Sequence, residues 1–90
     1  MNHFVYILRN AKGNYYVGAT NDIQRRLAEH NSGVSLATRG RGPWCLVYTE
    51  TYATPQEAKN REYKIKQKKR KSYIDWLIAE AGKNNIGFVV

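Results

Sequence analysis

The sequence has few of the residues that hold small proteins together covalently or through metals. A single cysteine, Cys45, excludes an internal disulfide, and two histidines, His3 and His30, are too few to predict a structural zinc site. No apolar run approaches the roughly 20 residues of a membrane span, and residues 4–8 are too short a run for a secretory signal. We therefore expect a soluble, cytoplasmic protein whose 90 residues fold as one domain.

Acidic side chains are also scarce. Seven Asp and Glu oppose fifteen Lys and Arg, which leaves a formal charge of +8 and a pI near 9.8. Residues 59–71 carry eight of the basic side chains and one acidic side chain. A positive charge concentrated in this way indicates a polyanionic partner, and we expect nucleic acid ahead of an anionic membrane surface.

The pattern of apolar residues predicts an α+β fold in which helices flank a small three-stranded antiparallel sheet, in the order β-β-α-β-α-α. Asn10–Gly13 has the composition of a hairpin turn between the first two strands. The three strands are predicted at Phe4–Leu8, Asn14–Ala19 and Trp44–Thr49.

Capping signals place three helices. The first has Asn21 as its predicted N-cap with Gln24 three residues later, and Thr54–Glu57 is a capping box with proline at the first helical position. The helices are predicted over residues 22–31, from Thr54 to about Lys69, and from Ser72 to near Gly82. We therefore expect a single domain over residues 1–82 and a loose tail over residues 83–90.

Three polar side chains fall where helical periodicity predicts a buried face. At 100° per residue, Arg26 and His30 border the apolar stripe of the first helix, and Glu62 lies on that of the second. The first two fit either a cleft against the sheet or a snorkelling arginine beside a surface histidine. A buried carboxylate is costly without a partner, so Glu62 needs a metal ion or an ion pair. The candidate pairing residues are Lys66, Arg25 and Arg26.

Two tyrosines lie on strands that are expected to pair. Tyr6 is on the first strand and Tyr16 on the second, and both fit a core position as well as a functional one. Gly18 lies two residues after Tyr16, on the same face, where its missing side chain leaves room for a substrate or another backbone. Arg39 and Arg41 alternate with glycines, which fits either a loop that grips phosphate or a solvated turn.

Taken together, these positions resemble the GIY-YIG nuclease family. Val5-Tyr6-Ile7, Tyr16-Val17-Gly18, Arg26, His30 and Glu62 follow the order and spacing of that family. The stretches His30–Gly33 and Thr38–Trp44 are similar to the Slx-type structure-specific endonucleases and to their small stand-alone bacterial relatives.

Two positions depart from the family pattern. Phe4 stands where the family name has its first glycine. Ala19 stands where excision-repair relatives have a lysine. Any role of that lysine would be absent here or would pass to Arg25 or Lys12.

The resemblance implies a Mg²⁺-dependent (or Mn²⁺-dependent) DNA endonuclease that acts on branched or flapped DNA, with a role in DNA repair. Glu62 would hold the metal ion and Arg26 would stabilise the transition state. Tyr6 is our choice of general base, with Tyr16 positioning the water or phosphate, although the resemblance leaves the choice between the two tyrosines open. His30 would hydrogen-bond a tyrosine or the phosphate, or relay a proton. Because a phenol has a pKa near 10, the metal ion and Arg26 would have to lower the pKa of Tyr6.

Eight basic residues are expected to hold the nucleic-acid backbone, and binding should weaken steeply with salt. They are Arg25, Arg39, Arg41, Arg61, Lys64, Lys66, Lys68 and Lys69. RNA fits these charges as well as DNA does. A second hypothesis is a nucleic-acid-binding module that does not cut, or a nuclease subunit whose protein partner supplies the substrate specificity.

Overall fold

The computed structural model describes residues 2–84 and contains three strands and three helices. Their order along the chain is β1 (His3–Asn10), β2 (Tyr15–Thr20), α1 (Ile23–Ser32), β3 (Trp44–Tyr52), α2 (Pro55–Lys68) and α3 (Lys71–Asn84). The strands form one antiparallel sheet in the order β2-β1-β3. The predicted α+β class, the element order and the three-stranded antiparallel sheet are confirmed. None of the helices within residues 2–84 is long and apolar enough to cross a membrane.

The first helix begins one residue later than predicted, and its N-cap is Asp22 rather than Asn21. The Asp22 carboxylate accepts a hydrogen bond from the Arg25 amide at 3.1 Å, and the Thr20 hydroxyl accepts one from the Asp22 amide at 3.0 Å. The prediction of Asn21 was wrong because two adjacent residues carry capping side chains, and the Thr20 contact selects the second of them.

The second helix begins as predicted. The Thr54 hydroxyl accepts from the Glu57 amide at 3.2 Å and donates to the Glu57 carboxylate at 2.9 Å, and Pro55 is the first helical residue. The third helix starts at Lys71, one residue before the predicted Ser72, and its backbone continues to Asn84. The rest of the tail expected after residue 82 lies outside the described residues.

The central strand supplies side chains to two separate cores. Val5 and Ile7 are fully buried against α2 and α3, with Ala58, Ile65 and Leu77. Tyr6 and Leu8 point to the opposite face and pack with Trp44 and with Leu27 of α1. Each fully buried aliphatic side chain contributes about 1.5–3 kcal/mol, so both faces anchor the strand that carries Tyr6. We call these the α2–α3 face and the α1 face of the sheet.

An irregularity in β3 lets this strand contribute to both faces. Its register against β1 changes from Ile7 opposite Tyr48 to Leu8 opposite Leu46, so β3 has one extra residue at this point. Because side chains alternate along a strand, the extra residue turns Trp44 to the α1 face, while Tyr48 remains on the α2–α3 face. Trp44 thereby packs in the same cluster as Tyr6.

Candidate active site

Tyr6, Tyr16 and His30 form an aromatic cluster on the α1 face. The Tyr6 hydroxyl oxygen lies 2.8 Å from His30 Nε2, and the ring centroids of Tyr16 and His30 are 4.6 Å apart. Tyr6 and Gly18 are opposite each other on β1 and β2, and a Cβ atom on Gly18 would lie only 2.8 Å from Tyr6 Cε1. The space beside Gly18 is therefore occupied by the Tyr6 phenol and is not a pocket for substrate.

His30 is buried, with 2% of its surface exposed, and both of its ring nitrogens have partners. Nε2 contacts Tyr6, and Nδ1 lies 2.7 Å from the Thr38 hydroxyl. Burial and then the positive charge of Arg26 lower the pKa of His30, so its imidazole is neutral at neutral pH. The interpretation of His30 as a surface histidine is therefore wrong.

Arg26 lies beside the Tyr6 phenol and is hydrogen-bonded through Nη1 to Glu29 Oε1 at 2.6 Å. The guanidinium lowers the pKa of Tyr6, but burial raises it more, and the net pKa of Tyr6 is above its usual value. The nearby Tyr16 and Glu62 raise it further. Arg26 alone therefore does not lower the pKa of Tyr6 below its usual value, which a general base would require.

Glu62 reaches the same cluster from α2. Its Oε2 accepts a hydrogen bond from Lys66 Nζ at 2.6 Å, and its side chain is 22% exposed. The same ammonium lies 5.8 Å from the centroid of the Tyr16 ring. Of the candidate pairing residues, Lys66 is the one that binds Glu62, whereas Arg26 pairs with Glu29.

The loop over residues 33–43 covers His30 and is fixed to the sheet. The Asn31 side chain donates to the Trp44 carbonyl at 3.1 Å and accepts from the Trp44 amide at 2.6 Å. The Trp44 indole in turn donates to the Thr38 carbonyl at 3.2 Å. These contacts hold Thr38, which is fully buried, against the imidazole of His30.

A basic groove opens between β2 and the junction of α2 and α3. Its volume is about 460 Å³, and it has an apolar floor that includes Val17 and Ile65. Tyr16 and five basic residues line it, namely Arg41, Lys66, Lys69, Arg70 and Lys71. A second hollow of about 300 Å³ is lined by Arg25, Arg26 and Lys59. The groove thus adjoins the aromatic cluster at Tyr16. The hollow adjoins Arg26, which lies beside Tyr6 of the same cluster.

Comparison with known proteins places this site in a family. The model of the GIY-YIG catalytic domain matches residues 2–74. The chain belongs to the GIY-YIG family. The predicted resemblance to this family is therefore confirmed, whereas the resemblance to its Slx-type branch stays a prediction.

Relatives of this GIY-YIG domain are of similar length. The UPF0213 protein of Halobacterium salinarum is 49% identical over 69 residues, covering 76% of this chain and 90% of that protein. The UPF0213 protein of Bacillus pumilus is 46% identical over 83 residues, covering 88% and 85%.

Two solution NMR structures share its fold. The UPF0213 protein BH0048 of Bacillus halodurans is 40% identical with a TM-score of 0.51, covering 84% of this chain and 85% of that one. The protein EF2693 of E. faecalis is 32% identical with a TM-score of 0.54, covering 83% and 84%. The architecture of this GIY-YIG domain therefore recurs in experimentally determined relatives.

The loop arginines of this GIY-YIG domain brace the loop itself. Arg39 Nε donates to the Gly33 carbonyl at 2.7 Å, and an Arg41 Nη donates to the Ala37 carbonyl at 2.6 Å. Arg41 also lines the basic groove, whereas Arg39 does not. The loop is therefore held in shape by its arginines and is more than a solvated turn.

Arg61 lies outside both hollows and is bound to Glu50, so its role in nucleic-acid binding stays a prediction. Its guanidinium donates to both carboxylate oxygens of Glu50 on β3, with Nε–Oε1 at 2.9 Å and Nη2–Oε2 at 3.1 Å. The hydroxyls of Tyr48 and Tyr52 donate to the same carboxylate. Arg61 therefore belongs to an ion-pair cluster on the α2–α3 face.

Two more of the predicted binding residues lie outside both hollows. Lys64 is exposed on α2, and Lys68 is exposed with its ammonium 5.4 Å from the centroid of the Tyr73 ring. Thr38, in contrast, contacts His30 but was not predicted as a site residue, because a threonine in a glycine-rich loop has no periodic pattern. Its burial becomes evident only from the folded loop.

Proposed function

We propose that this GIY-YIG domain is a divalent-metal-dependent endonuclease that hydrolyses phosphodiester bonds in DNA. One observation carries the proposal: side chains from three elements meet at one place, flanked by two hollows lined with cations. The side chains are Tyr6 of β1, Tyr16 of β2, and Arg26 and His30 of α1, with Glu62 of α2 next to them. Metal-dependent phosphodiester hydrolysis uses a base, a cation and a metal-binding carboxylate, and this set contains a residue suited to each role.

Arg26 has the position and the chemistry of a residue that stabilises the transition state. It lies between the Tyr6 phenol and the second hollow, and its charge is retained at every pH of interest. Its pair with Glu29 is partly exposed, so a phosphate can compete for the guanidinium at little cost. A fixed guanidinium is suited to the charge that develops on the phosphate oxygens.

Glu62 is the residue that would hold Mg²⁺ or Mn²⁺. Within residues 2–84 no group of three or more His, Cys, Asp or Glu side chains is placed to hold a metal ion. A single hard carboxylate, partly exposed and paired with a lysine that lines the basic groove, still fits Mg²⁺, because this ion keeps several waters and takes phosphate oxygens from its substrate. When bound, the ion supplies positive charge that acidifies water and stabilises the departing oxygen. Lys66 neutralises Glu62 in the free protein, and its release would leave an ammonium at the groove for a phosphate.

Tyr6 is the general base in this proposal, and Tyr16 positions the water or phosphate. Tyr6 is favoured because its hydroxyl lies between His30 Nε2 and the guanidinium of Arg26, two groups that can stabilise a phenolate. Tyr16 instead lines the basic groove and lies near the Lys66 ammonium. Since burial raises the pKa of Tyr6, activation requires the additional positive charge of the metal ion.

The hollows on either side of the cluster suggest the path of the substrate strand. Backbone phosphates would lie in the groove lined by Lys66, Lys69 and Arg41, and beyond the cluster in the hollow beside Arg25. The similarity of residues 30–33 and 38–44 to structure-specific enzymes favours branched or flapped DNA, with a role in DNA repair.

Cleavage assays on labelled DNA test this proposal. Flap, fork, single-stranded and duplex substrates are incubated with Mg²⁺ or Mn²⁺ at low salt, with EDTA as the metal-free control. We expect Glu62→Ala and Arg26→Ala to abolish cutting, while Arg9→Ala, an exposed arginine on β1, retains it. Undiminished cleavage by both Glu62→Ala and Arg26→Ala proteins would rule the proposal out.

A second candidate is a binding module that does not cut unaided. Two features of the free site favour it. Lys66 is paired with the carboxylate of Glu62, and the pKa of Tyr6 is raised. In that case Glu62→Ala protein would bind DNA as the unaltered protein does, and a protein partner would be needed for activity. Robust metal-dependent turnover by the purified chain would eliminate this candidate.

A further inference from the structure

Thr38 contacts the side of the His30 ring that faces away from Tyr6. Its hydroxyl oxygen lies 2.7 Å from Nδ1, while Nε2 lies 2.8 Å from the Tyr6 oxygen. All three side chains are almost fully buried, with 1% of Tyr6, 2% of His30 and none of Thr38 exposed. They therefore form a buried row, Tyr6–His30–Thr38, in which each hydrogen bond needs one donor and one acceptor.

The row has one hydrogen-bond donor more than it has hydrogen bonds. The phenol, the neutral imidazole and the threonine hydroxyl each carry one hydrogen, but only two hydrogen bonds join them. If Tyr6 donates to Nε2, then Nδ1 carries the proton and donates to Thr38, and the hydrogen left over belongs to Thr38. If Thr38 donates to Nδ1, then Nε2 donates to Tyr6, and the hydrogen left over belongs to the phenol.

The surroundings of the two ends show which hydrogen each arrangement leaves without an acceptor. Among residues 2–84 no acceptor other than His30 lies within bonding distance of the Thr38 hydroxyl, and a buried donor without an acceptor costs about 1–3 kcal/mol. At the other end, the Tyr6 oxygen faces the guanidinium of Arg26, which can only donate. While the phenol keeps its hydrogen, each arrangement leaves one buried hydrogen without an acceptor within the described residues. Loss of the phenol hydrogen, which the proposed mechanism requires, leaves every remaining donor with an acceptor only in the second arrangement.

We propose that Thr38 is a positioning residue that donates its hydroxyl hydrogen to His30 Nδ1 and thereby fixes His30 as a hydrogen-bond donor to the Tyr6 oxygen. His30 then does not take the proton of Tyr6. With a metal ion bound at Glu62, the phenol would lose that proton to solvent, and His30 and Arg26 would stabilise the resulting phenolate until it takes a proton from the attacking water. The role of Thr38 in catalysis rests on the proposed function, whereas the choice of the His30 nitrogen that carries the proton is a property of the folded chain.

The backbone around Thr38 is fixed well enough to aim its hydroxyl. The Thr38 carbonyl accepts from the Trp44 indole at 3.2 Å and from the Arg41 amide at 3.3 Å. The Thr38 amide donates to the Ser35 carbonyl at 3.3 Å. Valine has the shape of threonine without the hydroxyl, and serine keeps the hydroxyl, so the two substitutions separate hydrogen bonding from packing.

Nitrogen NMR of ¹⁵N-histidine-labelled protein tests the inference without reference to cleavage. A His3→Gln background leaves His30 as the single labelled histidine. We expect the neutral ring to carry its proton on Nε2 in the parent and in Thr38→Ser, and to populate the Nδ1-protonated form in Thr38→Val. In the cleavage assay, Thr38→Val should be about tenfold slower and Thr38→Ser close to the parent.

A proton on Nδ1 of His30 in the parent protein would overturn the inference, because Tyr6 would then be the donor. Thr38→Val protein with the parent's tautomer and cleavage rate would overturn it as well. If Thr38→Val does not fold, the tautomer of the parent still decides the question. A parent that cuts no substrate contradicts the proposed function, and the same NMR measurement still supports or overturns the inference.

Discussion

Two clusters of tyrosine and arginine side chains lie on opposite faces of β1. One binds a carboxylate, and the other surrounds a tyrosine. The structural cluster on the α2–α3 face is built around Glu50, whose carboxylate is bound by Arg61 and by two tyrosines. The site cluster on the α1 face is built around Tyr6, whose phenol has His30 and Arg26 as neighbours. Both use the same residue types, so the difference lies in the charge of the group at the centre.

The charge of the group at the centre of each cluster affects the pKa values of the side chains around it. Burial raises the pKa of Glu50, but hydrogen bonds from Arg61, Tyr48 and Tyr52 lower it more, so the carboxylate is held ionised. Burial and then the bond to Glu50 raise the pKa of Tyr52 to about 12, which keeps it a donor. Tyr6 has an arginine where Tyr52 has a carboxylate, and this arginine lowers the pKa of Tyr6, although burial keeps that pKa above its usual value. The partner of a tyrosine thus decides whether it is a structural donor or a potential base.

The largest expected effect is the loss of cleavage in Arg26→Met. We expect cleavage at least about a hundredfold slower, because the guanidinium is placed to meet the charge of the transition state. The thermal midpoint should hardly change, since the pair with Glu29 is 30% and 33% exposed and contributes less than about 1 kcal/mol. Single-turnover cleavage and thermal melting of the same preparation measure both. A protein that melts early and cuts normally would contradict this assignment.

The same substitution on the other face should act on stability. We expect Arg61→Met to lower the free energy of unfolding by about 2 kcal/mol, because Glu50 is left as a partly buried, uncompensated charge. Adding Glu50→Gln to that variant should restore part of the loss. Urea unfolding measures all three proteins, and a change below about 0.5 kcal/mol in Arg61→Met would show that the cluster is not structural.

Gly18→Ala should disturb the site cluster from the side of β2. The added methyl group overlaps the Tyr6 ring, so we expect a loss of about 1–2 kcal/mol and slower cleavage as the phenol moves from His30. Gly82→Ala is the matched control, because within residues 2–84 no atom beyond the adjacent residues and the helix's own backbone lies within 4 Å of its Cβ position. It should stabilise α3 by about 0.5–1 kcal/mol. Equal stability of the two variants would mean that Tyr6 does not need the space beside Gly18.

The smallest effect is a pH dependence that comes from His30. Burial lowers its pKa in the folded chain, so the unfolded chain binds more protons below its own pKa of about 6.5. The stabilisation is therefore complete above about pH 6.5 and is lost as the pH falls towards the folded pKa, by at most about 1.4 kcal/mol per pH unit. The lowered pKa of Glu50 acts in another range, since its contribution is lost only below about pH 4.5.

Urea unfolding between pH 5 and 7 measures the histidine effect. His30→Gln should remove the slope, because the lowered pKa of His30 is its source. A slope that survives in His30→Gln would assign the pH dependence to another group.

Local patterns in the sequence predicted the elements well, because caps and periodicity act over a few residues. Thr54 is the clearest example, since its capping box needs no tertiary contact. The exposure of His30 could not be predicted in this way, because residues 33–43 cover it from outside the helix. The ion pair of Arg61 with Glu50 could not be predicted either, because Arg61 lies in a run of basic residues. The alternation of Tyr48, Glu50 and Tyr52 on one strand face did contain a signal that a charged residue would be needed opposite them.

A pair of tyrosine-to-phenylalanine substitutions tests the central claim most directly. Single-turnover cleavage and thermal melting are measured for Tyr6→Phe and Tyr52→Phe, with Mg²⁺ and with EDTA. We predict that Tyr6→Phe cuts at least about a hundredfold more slowly while it stays folded, and that Tyr52→Phe cuts normally but melts earlier. Normal cleavage by Tyr6→Phe would contradict the account, because the site cluster would then not contain the base.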